Sequence, residues 1–280
     1  MYRNLTEQLG LDQEETQSKT IPQDFEEFNK LIGLPRHPAT LQEMPLMPYQ
    51  LGFVNQIPGD RNGLFHINKS RQIGVTELVL RIIAYHSFFK YKGGKILIIT
   101  GTREKTAAKI MHRFKQLFQN IPCTIEESRN VLHIKLVNGT EIEALPSNSE
   151  AIRGDTKIKA IFVDEAAHFR LQDDSVVIDA LEPVVFTNKS DLFLVSTPNG
   201  RRGFFYSISE NQNEYHKIKW DYTCAIGYIY SKDEIKKELQ RNDIDTEQEY
   251  MCQFTTTRSA IFGDSFAEEE FEEEDLSWLA

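Results

Sequence analysis

A chain of 280 residues with 40% hydrophobic and 26% charged residues has room for one large α/β domain with an appended subdomain, or for two small domains, of soluble globular composition. Its apolar runs, such as Leu78 to Ala84, fall well short of a membrane span, and the start Met1-Tyr2-Arg3-Asn4 lacks a signal-peptide pattern, so a cytoplasmic setting is expected. The net charge of −10 argues against a polyanionic partner only if it is evenly spread, yet eight acidic residues between 261 and 280 (Asp264, Glu268, Glu269, Glu270, Glu272, Glu273, Glu274, Asp275) leave the body near −2 and a local basic face possible.

In chain order, residues 1 to about 45 form a polar arm. Phe25, Phe28 and Ile32 fall at helical spacing, which predicts a short amphipathic helix over 22–32, and Pro35, Pro38, Pro45 and Pro48 then enforce an extended path. That path reaches Met47-Pro48-Tyr49-Gln50 and an apolar segment, Leu51 to Ile57. The Gln50 amide offers a donor and an acceptor, the pair that the edge of adenine requires; read alone, it is a surface Gln after a proline turn.

Leu64 to Asn68 is predicted as a strand and Thr76 to Phe89 as a buried helix, apolar on most faces. The turn between them is Lys69-Ser70-Arg71-Gln72-Ile73-Gly74-Val75-Thr76. A strand, a short turn with Gly and a hydroxyl residue opening a helix form a phosphate cradle: backbone N–H groups and the helix N-terminus attract the anion, and the hydroxyl can hold Mg²⁺. Measured against G-x-x-x-x-G-K-[ST] the match is partial, because Val75 stands at the lysine position. Some cation must still offset the phosphate charge, and Lys69 and Arg71 are the nearby candidates.

Lys95 to Thr100 reads as a second buried strand, followed by a helix from Glu104 to Phe118. One face of that helix is apolar, while the other carries Lys105, Lys109, Arg113 and Lys115, either simply solvated or set against a polyanion. Val131 to Val137 and Glu141 to Leu145 flank Asn138-Gly139, a hairpin signal. The polar loop Pro146 to Asp155 contains Arg153, solvated or aimed at a phosphate.

Lys159-Ala160-Ile161-Phe162-Val163-Asp164-Glu165-Ala166-Ala167-His168 is the stretch around which the rest is arranged. A run of β-branched and aromatic residues ending in two carboxylates reads as a buried central strand that delivers Asp164 and Glu165 to the edge where α/β proteins place ligands. The alternative is a solvated strand end capping the next helix. A helix near 172–182 and a strand, Asp191 to Val195, follow; that strand runs into Ser196-Thr197-Pro198-Asn199-Gly200, a polar end able to sense the state of a nucleotide's terminal phosphate. A helix (Gly203 to Glu210), a strand (Tyr215 to Tyr222) and short helices near 231–241 and 245–254 complete the pattern. Cys123, Cys224 and Cys252 are widely spaced and form no metal-ligand pair.

Together these residues resemble the ATPase, or packaging-motor, domain of the large terminase subunit of tailed double-stranded DNA viruses. The resemblance is carried, in order across roughly 45–260, by Pro48-Tyr49-Gln50, Ser70 to Thr76, Ala151-Ile152-Arg153-Gly154, Ile161 to Ala167, Ser196 to Gly200 and Glu249-Tyr250-Met251-Cys252-Gln253-Phe254. It implies an α/β fold of the P-loop NTPase (ASCE) type, with a mostly parallel central sheet flanked by helices and a small C-terminal lid or linker subdomain. The regions it implies are an N-terminal arm (1–45), the ATPase core (46–215), the lid or linker (216–260) and an acidic tail (261–280).

The resemblance also implies ATP and Mg²⁺ as cofactors. Gln50 would read adenine, with Tyr49 near it. Lys69 matches a variant placement of the Walker A lysine at the start of the loop; Ser70, Gln72, Ile73, Gly74 and Val75 would line the phosphates, and Arg71 would add a second phosphate contact. Thr76 and the Walker B Asp164 would hold Mg²⁺, and Glu165 would orient or deprotonate the attacking water. Arg153 matches an arginine finger acting on a neighbouring subunit's ATP, and Ser196, Thr197, Pro198 and Asn199 match the motif that couples hydrolysis to motion.

The implied partners are double-stranded DNA, a homo-oligomeric ring (a pentamer by family resemblance), the portal protein and the small terminase subunit, with no membrane. The implied setting is the host cell cytoplasm, with transient docking on the procapsid portal. The chain departs from the family at Val75, and it stops too early to hold the family's RNase H-like nuclease, so a motor domain alone is expected. The rival readings are a helicase-like DNA-remodelling ATPase, which shares the Asp-Glu strand and the Ser-Thr strand end, and a catalytically weak nucleotide-sensing assembly module.

Overall fold

The computed structural model describes residues 21–59, 62–101, 104–121, 125–146, 156–169, 171–241 and 244–255. Arg153, Cys123 and the acidic tail lie outside the described residues. The strands are β1 (Leu64–Lys69), β2 (Lys95–Thr100), β3 (Ile125–Asn130), β4 (His133–Leu136), β5 (Glu141–Pro146), β6 (Ile158–Asp164), β7 (Asp191–Ser196) and β8 (His216–Trp220). The helices are α1 (Phe25–Leu31), α2 (Pro48–Val54), α3 (Val75–His86), α4 (Glu104–Gln116), α5 (Leu171–Asn188), α6 (Gly203–Glu210), α7 (Lys232–Leu239) and α8 (Thr246–Glu249).

The described strands form one sheet in the order β3-β4-β5-β2-β6-β7-β1-β8. Pairing is parallel from β5 through β8 and antiparallel only in the β3-β4-β5 meander, whose β4–β5 turn carries Asn138-Gly139. Because β5, β2, β6, β7, β1 and β8 run the same way, Lys69, Thr100, Asp164 and Ser196 emerge along one edge. β7 lies between β1, which leads into the Lys69–Thr76 turn, and β6, which ends in Asp164, so one strand separates that turn from the acid.

Side-chain alternation explains why the sheet is buried on both sides. Ile96, Ile98, Ala160, Phe162, Phe193 and Val195 join one core with residues of α1 to α4, whereas Leu97, Ile99, Ile161, Val163, Leu192 and Leu194 join a second core under α5 and α6. Each fully buried Ile or Phe stabilises by about 1.5–3 kcal/mol relative to exposure, so an unbroken apolar strand is stable only when both faces are covered. The described part of the arm belongs to the first core: Phe28 of α1 is fully buried and meets Tyr85 of α3 edge-on at 5.5 Å.

Besides adding β3, where no strand was expected, the structure differs from the expectations in four places. Pro48 does not prolong the extended path; it opens α2 at the first helical position, where its missing N–H costs nothing. α5 runs through Pro183 to Asn188 instead of ending near 182, and the packing of Leu181 and Val185 on the second core accounts for the extra turns. β8, expected to begin the lid, is the edge strand of the main sheet and pairs with β1 from Phe65–His216 to Lys69–Trp220. The last helix among the described residues, α8, covers only Thr246–Glu249.

A buried charge fixes the start of β7. Asp191 is fully buried and accepts the Gly63 N–H at 2.7 Å and the Tyr91 hydroxyl at 2.5 Å, with the Lys90 ammonium at 2.7 Å. Asp191→Ala leaves the buried Tyr91 hydroxyl without this acceptor and removes the counter-charge beside Lys90, whose ammonium still donates to the Pro58 carbonyl at 2.7 Å, and the expected cost is about 3–5 kcal/mol, read as a lowered urea midpoint. A loss below about 1 kcal/mol would show that this cluster does not anchor the strand.

Candidate functional site

The candidate phosphate cradle, Lys69 to Thr76, forms where β1 leaves the sheet. Gln72 and Gly74 take left-handed backbones, φ 58° and 81°, which fold the chain over so that α3 can start at Val75. A Cβ on Gly74 would lie 3.3 Å from Gln50 Nε2, so both the dihedral and the close approach favour glycine. Tyr49 braces the turn from outside: its hydroxyl donates to the Ile73 carbonyl and its ring lies 4.9 Å from Trp220.

Across the edge, β6 ends at Asp164 and the chain turns sharply through Glu165, whose φ of 54° is left-handed for a non-glycine residue and costs roughly 1–2 kcal/mol. The turn brings two neighbouring carboxylates to the cradle. Thr76 Oγ1 donates to Asp164 Oδ1 at 3.0 Å, and Lys69 Nζ lies 2.9 Å from Glu165 Oε1. The Lys69 ammonium thus sits on the same side of the sheet as both acids, with only 8% of its side chain exposed.

Electrostatics separates the two carboxyls. Burial and the charge on Glu165 push Asp164 up to about 6, against the opposing pull of Lys69 and the Thr76 hydroxyl. Burial would also raise Glu165, but its side chain keeps 44% exposure and the Lys69 ammonium, as charge and as hydrogen-bond donor, holds it below the usual carboxylate range. His168 is lowered chiefly by burial, and Glu165 works against that shift.

The polar end of β7 closes the back of this cluster. Ser196 Oγ accepts the Ala167 N–H at 3.1 Å and donates to Glu165 Oε2 at 3.4 Å. Thr197 Oγ1 lies 2.8 Å from His168 Nε2, and Asn199 Nδ2 donates to the Ala167 carbonyl at 3.0 Å. Every polar side chain of the Ser196–Asn199 stretch therefore contacts the turn that carries Glu165.

A cavity of about 660 Å³ opens in front of the cradle, lined by Met47, Gln50, Lys69, Gly74, Thr76 and Arg113 among others. Gln50 is 4% exposed and so is no surface residue; its Oε1 accepts the Met47 N–H at 2.9 Å, which turns Nε2 toward Gly74. Arg71 is 59% exposed, and its Nη1 lies 3.3 Å from Glu249 Oε2 rather than inside the cradle.

Sequence reasoning assigned no part in this site to Arg113, Gln248, Glu249 or His168, which the fold brings here. Arg113 pairs with Glu77, the neighbour of Thr76, at 3.1 Å; its place on the basic face of α4 was the available signal. Glu249, signalled only by the Glu249–Phe254 run, accepts the Arg71 N–H at 2.8 Å, and Gln248 accepts the Gly200 N–H beyond β7. His168 closes the acidic stretch and touches Thr197.

The arrangement suits a polyphosphate: an ammonium and a hydroxyl at a helix start line a cavity large enough for a nucleotide, and each is paired with a carboxylate behind it. Among the described residues no group of three or more His, Cys, Asp or Glu side chains could hold a metal by itself. Thr76 and Asp164 are hard oxygen donors, the set expected for Mg²⁺ that completes its shell with water and phosphate oxygens.

Comparison with known proteins agrees with this architecture. The family described as terminase large subunit, T4likevirus-type, N-terminal, matches residues 66–266. The large terminase ATPase domain of Thermus phage P74-26 superposes with a TM-score of 0.60 at 19% identity, over 85% of this chain and 100% of that one. The large terminase of bacteriophage HK97 gives 0.62 at 14%, over 82% of this chain and 54% of that one. The large terminase of a thermophilic bacteriophage, in complex with ATP-gamma-S, gives 0.58 at 11%, over 75% and 53%. This chain thus spans about half the length of the latter two, and at such identities the likeness shows the fold. No curated protein matches the sequence. With the family match covering well over half of its length, the chain belongs to the N-terminal, T4likevirus-type family of terminase large subunits.

Proposed function

We propose that this chain is an ATP-hydrolysing motor that moves double-stranded viral DNA into a procapsid. The observation that carries the reading is the pairing of Lys69 with Glu165 and of Thr76 with Asp164, the first member of each pair lining the cavity. Family membership supports the packaging role, and the complexes of the thermophilic bacteriophage's large terminase with ADP and with ATP-gamma-S support the ligand.

In this reading Lys69 does the work of the lysine that Val75 displaces. Its ammonium enters from the start of the loop and, when a triphosphate binds, shifts from Glu165 toward the terminal phosphate. Ser70, Gln72, Ile73, Gly74 and Val75 present the loop backbone to the phosphates, while Gln50 and Tyr49 shape the base end. Thr76 and Asp164 would hold Mg²⁺, which would supply positive charge against the polyphosphate. Relieved of its counter-ion, Glu165 becomes a stronger base and accepts a proton from the attacking water, oriented by Ser196. Thr197, Pro198 and Asn199, tied to the same turn, carry the change outward.

The reading extends to a ring of identical subunits, with Arg153 reaching a neighbour's nucleotide, and to the portal protein and small subunit as docking partners in the host cell cytoplasm. No helix among the described residues is long and apolar enough to cross a membrane. DNA is gripped through its phosphates, because packaging must ignore sequence. The exposed Lys105 and Lys109 of α4 are candidate contacts.

Lys69→Ala is the direct test. Truncating the cation that meets the terminal phosphate is expected to weaken ATP binding by about 2–5 kcal/mol, roughly 30-fold or more, in calorimetric titration with Mg²⁺ present. Wild-type affinity in Lys69→Ala would assign phosphate binding to another cation and remove the basis of this reading.

A further inference from the structure

A second cavity, of about 520 Å³, opens where β1, the edge strand β8 and α6 meet, and it shares no lining residue with the cavity in front of the cradle. Phe65 and Ile67 of β1 turn into the first core, so Asn68 turns to the other face of the sheet and into this cavity. Tyr206 and Phe254 add an apolar wall, and Arg201, Lys217 and Lys219 stand exposed around it. Arg201 Nε donates to the Phe254 carbonyl at 2.9 Å, and Lys217 Nζ donates to the carbonyls of Ser209, at 3.0 Å, and of Asn211. These acceptors are neutral, and among the described residues none of the three cations is paired with a carboxylate. Asn68 is 5% exposed; its Nδ2 donates to the Cys252 carbonyl at 3.1 Å, which fixes the orientation of the amide and leaves Oδ1 buried without a partner. A buried acceptor in that position costs free energy until a donor reaches it.

We propose that this cleft is the docking site of the chain's own acidic segment, Asp264 to Asp275, whose carboxylates lie against Arg201, Lys217 and Lys219 while one of its backbone N–H groups donates to Asn68 Oδ1. The proposal is independent of the nucleotide reading. Phe254 stands in the wall of the cleft, and Asp264 follows Thr255 by nine residues, a reach of at most about 30 Å. A segment tethered so closely meets the cleft at a roughly millimolar effective concentration, so individually weak contacts suffice. The charges are complementary: residues 261–280 carry eight acidic residues and no Lys or Arg, and Glu210 on the same rim cancels only part of the positive charge. The open Asn68 acceptor decides between a peptide and a phosphate backbone. A diester phosphate offers charge but no donor for Oδ1, whereas a peptide brings both. The rings of Tyr206 and Phe254, 5.1 Å apart, give Phe266 or Phe271 an apolar surface to cover. Asn68 directly precedes Lys69, so the docked segment braces the strand that leads into the cradle from its other face.

The test is carbodiimide cross-linking of the full chain, which joins a carboxylate to an amine only where the two touch, with the linked peptides identified by mass spectrometry. Tail carboxylates are expected to link to Lys217 and Lys219 at least about 5-fold more than to the exposed Lys105 and Lys109, within single chains when isotope-labelled and unlabelled protein are mixed, and the excess is expected to vanish in high salt. Arg201→Gln leaves every reacting amine and carboxylate in place and is expected to lower the Lys219 links about 2- to 4-fold without changing those to Lys105. In a full chain whose eight tail acids are changed to Asn or Gln, acetylation of Lys217 and Lys219 is expected to speed up by a similar factor, with Lys105 as the unaffected control. Links spread evenly over the four lysines, links that form mainly between chains, or acetylation rates indifferent to the tail charges would each overturn the proposal. Absent tail links together with protection of Lys217 and Lys219 by short duplex DNA would overturn it too and give the cleft to a phosphate backbone.

Discussion

Glu165→Gln protein is expected to bind Mg·ATP at least as tightly as wild type and to lose roughly 10²–10⁴ of its turnover. The amide keeps the shape of the side chain and still hydrogen-bonds to Ser196, whose hydroxyl lies 3.4 Å from the carboxylate, but it cannot take a proton. Binding is spared because removal of the negative charge frees Lys69, now 2.9 Å from Glu165, for the phosphate. Single-turnover hydrolysis separates the two effects from product release. Turnover within about 3-fold of wild type would reduce Glu165 to a resting counter-ion for Lys69 and move the base elsewhere.

The largest expected effect belongs to Arg153, which lies outside the described residues and is assigned by the match of Ala151-Ile152-Arg153-Gly154 to the family. An arginine supplied across a subunit boundary is worth roughly 10³–10⁵ in rate in other NTPases, so wild-type turnover should rise steeply with assembly and Arg153→Ala should stay near the isolated-subunit rate at every concentration. The decisive form of the test is complementation. Arg153→Ala subunits keep Glu165, and Glu165→Gln subunits keep Arg153, so a mixture builds some interfaces with both groups intact. Recovered activity in mixed assemblies is expected; two inactive variants that stay inactive together would place the arginine in its own subunit's site or outside the chemistry.

Much of this was legible in the residues because its causes are local. An apolar run such as Ile158–Asp164 has one stable home, a strand covered on both faces, and its abrupt end in Asp164 and Glu165 marks the sheet edge. The strand-turn-helix around Gly74 was readable for the same reason. What was hidden depends on partners distant in the chain. The contact of Arg71 with Glu249 joins residues 178 positions apart, and no periodicity reports such a pairing. Trp220 and the rest of β8 read as the start of a separate subdomain, because a half-exposed edge strand carries a weak alternation that local pattern cannot assign to one sheet or another. The helix expected near 172–182 runs on through Pro183 because the packing that carries α5 past that residue belongs to the sheet beneath.

The central claim is that Lys69 stands in for the lysine absent at Val75. A crystal structure with a non-hydrolysable ATP analogue and Mg²⁺ tests it most directly. The account predicts the Lys69 ammonium within about 3 Å of a terminal-phosphate oxygen, displaced from Glu165, with Thr76 and Asp164 on the metal side of the same phosphate. An ammonium still paired with Glu165, while the terminal phosphate is covered by another cation or by none, would contradict it.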